Sequence, residues 1–157
     1  MRKILVCACA AALLVVTVFG CGQKAANPPA KGSPGVASGD GFTVTLSVRP
    51  TSGKAGGTFV LALKIRNDSG GQRTFEAPSG QTYDFAARDA SGREVWRWSN
   101  GKAFIQVVTP VSFAAGQTRV YDDIWTTSGQ NPGKYTVEGV FMALKNLRPA
   151  VEVEITE

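Results

Sequence analysis

Chemistry starts from the side chains on offer, and none of the 157 residues is histidine. That removes every imidazole-based triad, metal site or proton shuttle. Asp122-Asp123 is the one adjacent acidic pair. Neighbours on a strand point to opposite faces, so these two carboxylates do not share a substrate or cation. Ser and Lys are both common, yet no spacing marks a Ser–Lys dyad, and the general-base inventory is otherwise thin. The sequence therefore predicts no catalytic residue, no metal ligand and no cofactor. Its Lys and Arg residues are scattered singly along alternating stretches. A nucleic-acid face needs a basic stripe with interleaved aromatics, and none is present.

One residue does carry a chemical expectation of its own. Arg2-Lys3 form a positive start, Ile4 to Phe19 is an apolar run, and Val18-Phe19-Gly20-Cys21 closes it. This order resembles a bacterial signal segment ending in a lipobox, with lipid attached at Cys21. The reading makes residues 1–20 a signal peptide and places the protein on a cell membrane or outer membrane by its lipid. Cys7 and Cys9 fall inside the signal, so Cys21 alone remains and no intramolecular disulfide is available. Without Arg2 and Lys3 the basic count drops from 17 to 15 against 12 acids, leaving a net +3. Residues 21–40 are rich in Gly, Pro, Ala and Ser and read as a flexible tether. About 20 such residues have a typical end-to-end distance of roughly 25 Å, enough to hold a domain clear of the lipid. Lys24 and Lys31 add a weak attraction to anionic lipid.

The rest, 41–157, alternates as strands do. Phe42, Val44, Leu46 and Val48 share one face, as do Phe59, Leu61, Leu63 and Ile65. Asn67 to Gly71 turns the chain and Arg73 to Ala77 is a short strand. Gln81 to Gln106 reads as strand, turn, strand, turn, strand. Tyr83, Phe85 and Ala87 face inward, and Asp89-Ala90-Ser91-Gly92 supplies turn chemistry. Glu94, Trp96 and Trp98 then share a face, leaving Arg97 exposed on the other. Asn100-Gly101 predicts a two-residue hairpin with φ > 0 at both positions, returning as a third strand from Lys102 to Thr109. Trp96 and Trp98 are read as core rather than as a ligand platform. From Gln117 to Trp125 the inward face is ambiguous, Val120 and Ile124 competing with Tyr121 and Trp125. Tyr135, Val137, Gly139 and Phe141 form one more inward face, and Val151, Val153 and Ile155 another. Pro132-Gly133-Lys134-Tyr135 is similar to the tyrosine corner of β-sandwiches. About nine short strands with frequent turns predict an all-β sandwich in a monomeric domain.

Several of these stretches carry a family resemblance. Ser79-Gly80-Gln81, Tyr83-Asp84-Phe85, the turn at 89–92, Val95-Trp96-Arg97-Trp98-Ser99 and Lys102, Phe104 and Gln106 resemble the bacterial intracellular proteinase inhibitor (BsuPI) family. Asn67, Phe75, Gly116, Trp125 and Pro132-Gly133 with Tyr135 agree in order, so the likeness runs from about Phe42 to Ile155. It implies an immunoglobulin-like β-sandwich of about seven to nine short antiparallel strands. It also implies inhibition of a serine protease, of subtilisin type. A second functional reading stands beside it, a non-catalytic envelope module that binds another protein through loops or a sheet edge.

Three loops are candidate contact sites: Ser99 to Ala103, Thr126 to Gly133, and Lys145 to Pro149. The first offers Ser99, Asn100, Gly101 and Lys102 on a tight turn between Trp98 and Phe104. The last offers Leu147 and Arg148 as side chains to fill a specificity pocket.

Overall fold

The computed structural model describes residues 32–157. The signal segment, Cys21 and the tether as far as 31 lie outside the described residues. Eleven strands follow in order: β1 (Gly35–Gly39), β2 (Phe42–Arg49), β3 (Ser52–Lys54), β4 (Thr58–Asn67), β5 (Arg73–Ala77), β6 (Tyr83–Asp89), β7 (Glu94–Arg97), β8 (Thr109–Phe113), β9 (Thr118–Thr126), β10 (Gly133–Phe141) and β11 (Ala150–Thr156). One sheet has the order β1-β2-β4-β9, a second β3-β11-β10-β6-β7, and β5 and β8 pair by themselves. All ladders are antiparallel except β11 with β3, which runs parallel from Glu154↔Ser52 to Thr156↔Lys54.

Alternation decides which faces meet. Phe42, Val44, Leu46 and Val48 of β2 and Phe59, Leu61, Leu63 and Ile65 of β4 are all buried. They pack against Phe85, Ala87, Val137, Phe141, Val151, Val153 and Ile155 of the facing sheet. The result is an all-β, immunoglobulin-like sandwich. The β5–β8 pair closes one end through edge-to-face rings, with Phe42 at 5.2 Å from Phe75 and 5.5 Å from Phe113. Tyr135 makes the expected corner, its hydroxyl donating to the Asn131 carbonyl at 2.7 Å. Buried Asn67 ties β4 to the turns around it. Its amide donates to the carbonyls of Gly71 and Ala114, and its Oδ1 accepts from Ser69.

Two readings need correction, and one face left open is decided. First, residues 35–39, assigned to the tether, form β1 and pair with β2 from Gly35↔Leu46 to Gly39↔Phe42. They bury little side chain, with Val36 61% exposed, because an edge strand is held by its backbone. Asp40 (φ 54°) and Gly41 (φ 76°) make the two-residue hairpin turn. Second, Lys102 to Val108 joins no ladder, and the strand beyond it is β8. Of Asn100 and Gly101 only Gly101 has positive φ, so the turn does not fold the chain back along β7. The open face is that of β9, which turns Tyr121 and Trp125 inward and leaves Val120 and Ile124 more than half exposed. The strand count is also higher than expected, since β1 and the three-residue β3 carry no apolar pattern.

Candidate functional site

β7 is the edge strand of its sheet and pairs with β6, and their contact begins with a buried charge. Asp84 is 4% exposed, on the face of β6 opposite Tyr83 and Phe85. Its carboxylate accepts from the Arg97 guanidinium at 2.7 Å, the Ser99 hydroxyl at 2.8 Å and the Phe85 amide at 2.9 Å. Arg97 also donates to Glu94 through Nε at 2.8 Å. Arg97 is therefore half-buried in an ion network, not the free surface residue its strand position suggested. The hydrogen bond from Arg97 holds the Glu94 carboxyl below its ordinary range, and Glu94 in turn raises the guanidinium.

Trp98 sits on the other face and binds the sheets together. Its ring lies 4.4 Å from Tyr83, which stacks on Tyr121 of β9 at 4.8 Å. Its indole N–H donates to the Asp123 carboxylate. Burial pushes the Tyr83 phenol up, with the Asp123 carboxylate adding to the shift, so the ring keeps its proton. Asp122 and Asp123 face opposite ways, as strand neighbours must.

Beyond Trp98 the chain leaves β7. Ser99 is held by Asp84, while Asn100, Gly101 and Lys102 are exposed, with the Lys102 ammonium 3.9 Å above the Trp98 ring. Phe104 then packs 5.8 Å from Trp98. The Ile105 carbonyl accepts from Gly80 N–H at 2.8 Å. A Cβ on Gly80 would lie 2.8 Å from the Ile105 side chain, so a larger residue here would push that exposed side chain aside. Ile105 is 69% exposed, and Val107 and Val108 are each 58% exposed. No turn or bend interrupts 102–108 before β8 begins.

The Lys145–Pro149 turn lies at the same end. Phe141 is paired with Tyr83, and Lys145 and Arg148 join Gln81, Asp84, Arg97, Val140 and Met142 around a cavity of about 190 Å³. Arg148 is exposed and bonded to the Lys145 carbonyl and to Glu138. Leu147 corrects the expectation of a pocket-filling side chain. It is 7% exposed and packs into the core, its Cδ2 3.1 Å from where a Cβ on Gly39 would stand. Thr126–Gly133 is at the far end, beside the 89–92 turn where Tyr135 pairs with Asp89. Two of the three predicted loops thus share one end and the third does not.

The apolar run at 105–108 was missed as a surface because its alternation also fits a strand. A family model for the intracellular proteinase inhibitor, BsuPI, matches residues 44–146. The chain belongs to the BsuPI family. No curated protein matches the sequence. Among solved structures, the BsuPI chain is similar to the Pseudomonas fluorescens alkylpurine DNA glycosylase AlkC bound to abasic-site DNA. That likeness has 14% identity and a TM-score of 0.49, and covers 76% of this chain and 31% of that one. A β-glucosidase from Listeria innocua gives 16% identity and a TM-score of 0.46 over 73% of this chain and 16% of its own. The CARDB domain of a Pyrococcus furiosus protein, in complex with di-metal ions, gives 15% identity and a TM-score of 0.43 over 73% and 87%. The chain therefore spans about a third of the glycosylase and a sixth of the glucosidase. At such identities none of their chemistry passes to the BsuPI chain.

Proposed function

We propose that this chain is an exported, non-catalytic protein, lipid-anchored through Cys21, whose BsuPI domain binds and inhibits a serine protease of subtilisin type. The observation that carries the reading is family membership across residues 44–146. The domain end formed by 99–108 and 145–149 supports it, because a protein that resists a protease must present a contact that is already ordered. Here that order comes from Trp98, Asp84 and Gly80 rather than from a disulfide. The test is to add the full-length chain in detergent micelles to a subtilisin-type protease and follow hydrolysis of a small peptide substrate. Stoichiometric slowing is expected, and undiminished hydrolysis at micromolar protein refutes the reading for that protease class. The anchor has its own test: Cys21→Ser shifts the protein from the membrane to the soluble fraction, and identical fractionation of both forms refutes it.

The envelope-module reading draws on a different observation. β9 is the terminal strand of its sheet and exposes Val120 and Ile124. A peptide adding to that edge would need backbone pairing and little else. A native pull-down dominated by a wall or assembly protein, and free of proteases, would favour it.

A further inference from the structure

We infer that Lys102–Val108, and not the 99–102 turn before it, is the segment that enters the partner protease's substrate cleft. This rests on the inhibitor reading. A protease cleft takes an extended strand, pairs with its backbone and seats alternate side chains in pockets. The 99–102 turn reverses within four residues, Lys102 N–H donating to the Ser99 carbonyl, and cannot lie along such a cleft. Residues 102–108 carry no turn or bend, and no strand among the described residues pairs with them. Ile105 and Val107 fall on one side of an extended chain and both are more than half exposed. The class of partner that fits is a protease whose subsites accept aliphatic side chains.

An extended exposed segment is ordinarily a substrate, and what distinguishes an inhibitor is restraint on both sides of the contact. Phe104 on Trp98 and the Gly80–Ile105 hydrogen bond hold the entry. Thr109, where β8 begins its pairing with β5, holds the exit, and its hydroxyl also donates to the Val107 carbonyl at 3.2 Å. The segment spans from the β7 side of one sheet to the separate β5–β8 pair, so its ends are fixed in different elements. Side-chain entropy lost on docking falls on short aliphatic groups, which have little to lose.

The test compares the full-length chain with Ile105→Asp/Val107→Asp and with Lys64→Ala, a change at an exposed position of β4 outside the contact end, in the same hydrolysis assay. Both aspartates are placed at exposed positions, so the unfolding midpoint stays that of the wild type. The inhibition constant of the double variant rises about thirtyfold or more, as expected for charges forced against aliphatic subsites, while Lys64→Ala stays within about twofold. Wild type that inhibits, with a double variant that inhibits equally, overturns the inference and leaves the inhibitor reading standing. Wild type that inhibits nothing overturns both. If the double variant inhibits normally but, in a Cys21→Ser background, loses binding to phosphatidylglycerol vesicles, the segment is a membrane contact and the inference falls.

Discussion

Removing the Arg97 guanidinium would leave the buried Asp84 carboxylate hydrogen-bonded only to neutral donors, the Phe85 amide and the Ser99 amide and hydroxyl. A buried ion pair broken on one side costs about 3 kcal/mol or more. Arg97→Ala is therefore expected to lower stability by about that amount in urea titration, and a loss under about 1 kcal/mol would mean the carboxylate finds water instead. Glu94 gives a pH signature. Its carboxyl lies below the ordinary 4.5 in the folded protein, so its contribution is present above 4.5 and is lost as pH falls through the folded-state value. Glu94→Gln flattens that acid limb of the stability profile, and an unchanged slope would remove Glu94 from the account. None of this network was legible from strand alternation, which puts Asp84 and Arg97 on an outward, solvated face. The hint was Ala86, a small apolar residue between two polar ones on that same face, and it is 3% exposed.

At the scale of the element, Gly35 shows how tightly β1 is seated. A Cβ there would lie 2.2 Å from the Ala150 carbonyl, a backbone atom that cannot swing aside. Gly35→Val is expected to detach β1. Hydrogen exchange would then speed up in β1 and at its partners in β2, while β4 amides keep their protection. Loss of protection across the whole sandwich would show instead that β1 is integral to the core. β2, β4, β10 and β11 could be read from sequence because each buries one face completely, which imposes strict alternation. β1 could not, since backbone pairing leaves no side-chain pattern, although Asp40-Gly41 was a hairpin signal in plain view. The 102–108 run fails in the opposite sense. Extended, exposed chain and strand share one period, and nothing local records whether a partner strand is beside it. The Ser99–Lys102 and Arg148 sites were legible as loops, but Leu147 was not legible as core, because a lone apolar residue in a turn has no period.

At the scale of the whole molecule, the described residues, which include no cysteine, are held together by a seam of rings. Trp96 stacks on Trp125 at 5.9 Å, and Trp125 lies 5.6 Å from Phe59 and 5.7 Å from Tyr135, so one aromatic file joins the two sheets. Trp96→Ala opens that file and is expected to cost about 3–5 kcal/mol on denaturant unfolding. A loss below about 1 kcal/mol would place Trp96 outside the cooperative core. A second file, Phe104 on Trp98, Trp98 on Tyr83 and Tyr83 on Tyr121, also crosses between the sheets and holds the start of the 102–108 segment.

The geometry of β1 also has a mechanical meaning. Its Gly35 end lies far from the turn at Asp40-Gly41, and its rungs run back from Gly35↔Leu46 to Gly39↔Phe42. Tension that lifts the N-terminal side away from the sheet would peel β1 open one rung at a time from Gly35, whereas a pull along the strand axis would load all five rungs together. Each released residue adds about 3.3 Å of length, so the strand yields slack before any load reaches the β2–β4 ladder. β1 would act as a re-zipping shock absorber between whatever holds the N-terminus and the core.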